Sequence, residues 1–256
     1  MSPRHPLIDP LYTEFAWLYD ERFGADGIGG PDVGFYTRLA LEARGPVVEL
    51  AVGTGRVALP IVRSGVPVLG LDLSPSMLAI ARRKAVEEGI GPELGLAAAD
   101  MRTFALAQPA ALITIPARAF LHNLTMDDQM ATLASCRAAL EPGGRLALNV
   151  FNPNLEMIAH WMKLPADQRK QPGDLIPDTL ESRDYDPAEQ RVDTRIRMKA
   201  RGGKSVVAIR LRWVYRFEME HLLSRSGFEV EALYGNFDGQ AFELTSTEMV
   251  WVARAV

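Results

Sequence analysis

Cysteine is all but missing from this chain. Cys136 stands alone, so no disulfide can form within it. It lies between Leu133 and Leu140 in a helical pattern, which predicts a buried structural thiol rather than a nucleophile. Histidine is scarce too. The 4 histidines are scattered without the spacing of metal ligands, and no metal is expected. No apolar run reaches the roughly 20 residues that cross a bilayer, and no charged-then-apolar leader opens the chain. The expectation is a cytoplasmic protein without a membrane partner. Excess charge of one sign is also lacking. Lys and Arg number 28 against 32 Asp and Glu, a net charge of −4. No basic face is implied, so nucleic acid is not an expected partner.

What is present is an ordinary globular composition. The 256 residues are 48% hydrophobic, enough to bury one full core. Three prolines mark an extended start between Ser2 and Pro10, and the aromatic-rich stretch Leu11 to Asp20 predicts a short helix. A glycine-rich loop follows from Gly24 to Pro31. The next helix, Asp32 to Ala43, carries Phe35, Leu39 and Ala40 on one face. From Val47 the pattern alternates. Strands are predicted at 47–52, 66–71, 94–98, 110–115 and 145–151, with helices at 56–64, 75–88 and 127–140 between them. Ser74 suits an N-cap and Pro75 the first helical position. Such alternation predicts an α/β fold, a parallel sheet covered on both faces.

After Phe151 the rhythm changes. Residues 152–180 are polar and hold four prolines. From Ser182 to Arg216 basic and apolar residues alternate as in antiparallel strands, with Arg201-Gly202-Gly203-Lys204 as a hairpin turn. A helix at 217–226 and strands at 228–234 and 248–254 complete the chain.

The chemistry concentrates at the ends of the first three strands. Glu49-Leu50-Ala51-Val52-Gly53-Thr54-Gly55-Arg56 follows a strand and opens a helix, where glycines let the backbone turn tightly and approach a ligand. Asp72 ends the next strand, where a carboxylate can accept both hydroxyls of a ribose. Asp100-Met101 follows the third, where an acid can accept from an adenine amino group and an apolar chain can cover the ring. Three acids after three successive strands point to a nucleoside site more strongly than any one does.

The runs ELAVGTGR, LDLSPSML, ADMRTF and LEPGG resemble class I methyltransferases, closely over residues 47–151 and loosely elsewhere. The resemblance implies a Rossmann-like, doubly wound seven-stranded sheet and S-adenosylmethionine as cofactor. It implies that the first loop, with Glu49, Ala51, Gly53, Gly55 and Arg56, holds the methionyl part. Asp72 and Leu73 would meet the ribose, while Asp100, Met101 and Met77 would meet adenine. Pro116 after the fourth strand joins this set. The family has glycine where this chain has Ala51, and often a small residue in place of Val52. The N-terminal segment resembles the lid of small-molecule N-methyltransferases, in which tyrosines touch the cofactor near its sulfonium. Tyr36 and Tyr19 match by position, and ordinary core packing is the alternative for both.

The loop Pro116 to Asn123 would face the methyl acceptor, since ligands lie at the carboxyl ends of the strands. His122 is the candidate general base, with a packing or capping role as its alternative. Arg118 would bind an anionic substrate group or pair with a lid carboxylate. Phe151, in Phe151-Asn152-Pro153-Asn154, would line the pocket. Arg195, Arg197, Arg210, Arg212 and Trp213 would form a cap or a homodimer surface. The expected organisation is an N-terminal helical lid at 1–44 and a methyltransferase domain at 45–256. An antiparallel cap is inserted at about 152–216. The expected substrate is a small molecule, an amine rather than a hydroxyl, a preference that rests on resemblance alone. Three alternatives stand beside it: a peptide or protein α-amine methyltransferase, an NAD(P)-dependent oxidoreductase and a non-catalytic cofactor-binding protein. Against the oxidoreductase, Glu49 stands where such a site has an apolar residue, and Asp100 would have no role.

Overall fold

The computed structural model describes residues 12–13, 16–20, 30–163, 180–200 and 203–256. Among them the chain runs α1 (Gly30–Glu42), β1 (Val47–Leu50), α2 (Ala58–Arg63), β2 (Val68–Asp72), α3 (Pro75–Glu87), β3 (Leu94–Ala98) and β4 (Ala110–Ile115). It continues through α4 (Met126–Ala139), β5 (Leu140–Phe151) and α5 (Leu155–Lys163). Then come β6 (Leu180–Asp186), β7 (Arg191–Ala200), β8 (Gly203–Arg212), α6 (Arg216–Arg225), β9 (Phe228–Tyr234) and β10 (Glu248–Ala255).

Seven strands form one sheet in the order β3-β2-β1-β4-β5-β10-β9. β1 to β5 pair in parallel, and β10 enters antiparallel between β5 and β9. This is the Rossmann-like sheet expected from the resemblance. β1 and β4 lie at its centre and every residue in both is buried, as parallel strands covered by helices on both faces require. Apolar clusters fill both sides: Leu50, Ile113, Phe120, Leu148 and Trp251 in one, Tyr36, Leu59, Ile61 and Leu112 in the other. Between β1 and β4 the strand order reverses, which opens a crevice at their carboxyl ends.

Helix starts follow the local sequence. The Ser74 hydroxyl accepts from the Met77 N–H at 3.2 Å, with Pro75 in the first turn. Thr125 caps α4 by accepting from the Asp128 N–H at 3.1 Å. Cys136 is fully buried in that helix, and burial raises its thiol far above the usual range.

Two expectations on element boundaries need correction. The Pro142-Gly143-Gly144 turn does not precede the fifth strand but lies inside β5, which starts at Leu140. A shift in its register with β4 absorbs the bend, with Gly143 at φ 80°. The first part of the polar stretch 152–180 forms α5, whose Ile158 is buried. Of the helix expected over Leu11 to Asp20, the described part is a short 3-10 turn at Ala16–Leu18 leading into Tyr19 and Asp20.

β6, β7 and β8 form a separate antiparallel sheet inserted between β5 and α6. β7 and β8 pair through to Ala200 and Gly203, so the hairpin is as expected, although Arg201 and Gly202 lie outside the described residues. Trp213 departs from the expectation of a surface role. It is fully buried against Tyr185, with ring centroids 6.1 Å apart, in a small core with Val192 and Ile158. The side chain of Arg197 is not described.

Candidate active site

A partly enclosed cavity of about 150 Å³ lies at the carboxyl ends of β1, β2 and β4. Leu50, Ala51 and Gly53 form one part of its wall, and Leu71, Asp72 and Leu73 another. Met77, Ala99 and Met101 continue it, and Ala117, Ala119, His122 and Leu124 close the side after β4. Tyr12 and Tyr19 reach it from the N-terminal segment and Arg210 from β8.

Asp72 organises the floor. Its two carboxylate oxygens accept the Gly53 N–H at 2.8 Å and the Ser74 N–H at 2.7 Å. One side chain thereby ties the glycine loop after β1 to the start of α3. Burial raises its pKa, and the two N–H donors counter that by favouring the carboxylate. The glycine loop needs left-handed backbone at Gly53 (φ 56°) and Gly55 (φ 81°), and also at Ala51 (φ 53°). The family's glycine at the place of Ala51 therefore has a physical reason, and the alanine here carries the strain.

Glu49 is buried in β1, and its Oε2 has no hydrogen-bond partner among the described residues. Burial drives its pKa well up, opposed by nearby Arg56 and assisted by Asp32 and Asp72. Arg56 itself turns away from the cavity wall. Its guanidinium grips Asp32 of α1 with two hydrogen bonds of 2.6 Å. Asp20 does a similar job nearby, accepting from the Thr54 hydroxyl at 2.6 Å and pairing with Lys84 at 2.6 Å. The Ser74 hydroxyl also donates to the Tyr12 carbonyl. The N-terminal segment is thus held to the glycine loop and to the start of α3 by polar contacts.

Of the expected adenine pair, Met101 lines the cavity and Asp100 does not. The Asp100 carboxylate is taken by Arg102, whose Nη2 lies 2.6 Å away, and Arg102 reaches on to Asp128 of α4 at 2.7 Å. Hydrogen bonds from Arg102 hold the Asp100 pKa below the usual value. Met77 lines the cavity as expected, while Gly55 and Pro116 do not. Tyr19 lines it and Tyr36 does not. Tyr36 is fully buried and its hydroxyl donates to Asn149 Oδ1 at 3.1 Å.

Arg118 was expected to face substrate or a lid carboxylate. It pairs instead with Glu248 at the start of β10, its Nε 2.8 Å from Oε1, and its guanidinium lies 5.6 Å over the Phe151 ring. Phe151 is consequently a packing partner of Arg118 and not part of the cavity wall. Asn149 joins the network by donating to Glu248 Oε2 at 3.0 Å. Both Ala117 (φ 55°) and Arg118 (φ 60°) are left-handed, so this ion pair holds a strained wall in place.

His122 does line the cavity, and its Nε2 sits 3.1 Å from the Tyr12 hydroxyl with the rings edge to face at 5.3 Å. Burial lowers its pKa to about 4, so the ring is neutral at pH 7 and weakly basic. Tyr12, Arg210 and Glu248 were not singled out from the sequence as site residues. Tyr12 had a local signal in its aromatic-rich stretch. Arg210 had been expected only as part of a cap or a homodimer surface, and Glu248 had no signal, because only long-range pairing brings it here. No group of three or more His, Cys, Asp or Glu among the described residues could hold a metal ion. No helix of the described residues is long and apolar enough to cross a membrane.

Comparison with known proteins agrees with this geometry. A methyltransferase domain family matches residues 47–144, the glycine loop through the start of β5. The chain is 35% identical over 156 residues to a demethylmenaquinone methyltransferase of Thermus thermophilus, covering 60% of this chain and 63% of that protein. It is 28% identical over 118 residues to a ubiquinone biosynthesis O-methyltransferase of Xanthomonas euvesicatoria, covering 46% of this chain. In that second case it spans only 48% of the relative's length. Among solved structures, the CcbJ methyltransferase of Streptomyces caelestis superposes with a TM-score of 0.79 at 27% identity, covering 94% of this chain and 96% of that one. Matched domain, strand order and a cavity at the carboxyl ends of β1, β2 and β4 agree: residues 47–144 match a methyltransferase domain, and the fold is similar to that of class I S-adenosylmethionine-dependent methyltransferases.

Proposed function

We propose that this protein moves a methyl group from S-adenosylmethionine to a small molecule, and that the accepting atom is an amine nitrogen. The observation that carries the reading is the cavity wall built by Gly53, Asp72, Met77 and Met101 at the carboxyl ends of the sheet. The cofactor would supply a methyl activated on a sulfonium. The residues present fit it. Asp72 keeps lone pairs for ribose hydroxyls beyond those used by Gly53 and Ser74. Met77 and Met101 offer apolar surface to an adenine ring. The unpartnered, buried Glu49 Oε2 suits a donor such as an ammonium group. In this reading residues 1–44 act as the lid and the insertion at about 152–216 as the cap.

The preference for nitrogen rests on His122. A phenol has a pKa near 10, so handing its proton to an imidazole at about 4 is uphill by roughly 8 kcal/mol. An amine needs only to enter as the free base. His122 then serves as a neutral acceptor that orients the Tyr12 hydroxyl, a positioning role and not that of a base. A hydroxyl acceptor is the second reading, favoured by the O-methyltransferase among the relatives.

Titration calorimetry with S-adenosylhomocysteine and with NADH tests the cofactor, and transfer of a labelled methyl to paired amines and alcohols tests the acceptor. Binding of S-adenosylhomocysteine alone, with label on the amines, is expected. Preferential binding of NADH would sink the methyl-transfer reading. Label confined to hydroxyls would sink the nitrogen preference.

A further inference from the structure

The acid after β3 is fully taken up by its neighbour. Asp100 Oδ1 accepts from the Arg102 backbone N–H at 2.9 Å and from the Arg102 Nε–H at 3.0 Å. Asp100 Oδ2 accepts from Nε at 3.1 Å and from Nη2 at 2.6 Å. A carboxylate offers about four lone-pair sites, so one residue two positions on uses them all. Arg102 is held in turn from α4. Its Nη1 donates to Asp128 at 2.7 Å, and its carbonyl accepts from the Ser135 hydroxyl at 2.8 Å. The Thr125 hydroxyl donates to the other Asp128 oxygen at 2.8 Å, which fixes that acid at the start of the helix. Turning Asp100 towards a ligand would break a two-pronged, charge-assisted contact.

The cavity wall next to this pair is apolar. Leu73, Met77, Ala99, Met101 and Leu124 line it, and Asp100 does not. Met101, the residue between Asp100 and Arg102, is itself held in place. Its sulfur accepts from Asn123 Nδ2 at 3.4 Å, and the same nitrogen donates to the Phe120 carbonyl at 3.0 Å. A thioether is a flexible filler, and this contact ties it to the turn after β4. A purine placed here meets carbon and sulfur where the resemblance implies a carboxylate.

We propose that Arg102 withholds Asp100 from the cofactor, so that the purine is held by apolar contact with Met77 and Met101 and no carboxylate reads its amino group. Arg102 is then a positioning residue that sets cofactor specificity. The ligands accepted extend to cofactor analogues whose purine lacks the amino group. This rests on the methyl-transfer reading.

The test is calorimetry on the full chain with two ligands, S-adenosylhomocysteine and its analogue with unsubstituted purine in place of adenine. The analogue keeps the ring nitrogens as acceptors, so the amino group alone is probed. In the unaltered protein the two affinities are expected to agree within about threefold, since a bond from the amino group to a carboxylate would separate them by about tenfold or more. Arg102→Leu releases Asp100 and should raise the preference for S-adenosylhomocysteine to about tenfold. That gain is a readout that loss of structure would not produce. A preference beyond about threefold in the unaltered protein would overturn the proposal, and this measurement stands even where Arg102→Leu does not fold. So would a folded Arg102→Leu variant that still treats the two ligands alike. Failure of S-adenosylhomocysteine to bind the unaltered protein would instead overturn the methyl-transfer reading, and this proposal with it.

Discussion

Arg56 and Asp32 meet through two parallel hydrogen bonds of 2.6 Å in a nearly dry setting, with side-chain exposures of 8% and 5%. The pair joins the loop after β1 to the first turn of α1, so the helix before the sheet is locked to the rim of the cavity. Removing one partner strands a buried charge, which costs about 3–5 kcal/mol. Asp32→Leu and Arg56→Met should each lower stability to urea by that order. The double change Asp32→Leu with Arg56→Met should cost clearly less than the sum of the two single changes, because no charge is left unpaired. A strictly additive double variant would show that the pair does not act as a unit.

Asp72 holds two backbone donors and, in the proposed reading, a ribose. Asp72→Asn keeps one acceptor oxygen and loses the charge. Affinity for S-adenosylhomocysteine should fall tenfold or more, since a charge-assisted hydrogen bond contributes about 1.5–3 kcal/mol. Stability should fall as well, because the Gly53 or the Ser74 N–H loses its acceptor. Calorimetry and denaturant unfolding read the two effects separately. Unchanged affinity would remove the ribose role.

Ala51 sits at φ 53°, where an L-residue is strained by about 1–2 kcal/mol. Glycine relieves the strain and gives back some of the gain through a more flexible unfolded chain. Ala51→Gly should therefore stabilise the protein by about 0.5–1 kcal/mol, read as a higher urea midpoint at unchanged slope. Ala51→Val should destabilise it, since a β-branched residue tolerates this backbone worst. A destabilised glycine variant would mean that the alanine methyl group packs better than the strain costs.

His122 makes stability depend on pH with a definite sign. Its pKa is about 4 when folded and about 6.5 when unfolded, so the unfolded chain binds the proton first. Its contribution to stability is full above pH 6.5 and shrinks as pH falls towards 4, by at most about 3 kcal/mol in all. Between pH 7.5 and pH 5 this amounts to about 2 kcal/mol. In His122→Gln the fall over that interval should be smaller by about that amount, measured by urea unfolding at both values. An unchanged slope would show that the ring is not held neutral.

Local patterns made the sheet readable. The five parallel strands followed from apolar runs near glycine, proline or an acid, and the cap on α3 was visible in Ser74-Pro75. Asp72 and Met101 were equally readable, since a residue's place just past a strand already puts it near the crevice, and Met77 followed from the resemblance. The side chains that link distant segments were not. Tyr36 shares a face with Phe35 and Ala40, and only the sheet brings Asn149, 113 positions away, to its hydroxyl. Arg118 was open to either an anion or an acid, and Glu248, 130 positions on, takes it. Arg210 was expected in a cap or a homodimer surface, and the pairing of β8 brings it to the cavity wall.

The sequence by itself determined the alternation of strands and helices, the glycine loop and the acid after β2, because these depend on neighbours along the chain. The tertiary structure decided which polar side chains line the cavity and which are spent on one another. A guanidinium or carboxylate takes the nearest partner of opposite charge, and that partner is set by strand order and packing. For this reason Arg56 and Arg118 are structural ties, Asp100 faces Arg102, and Arg210 comes to line the cavity.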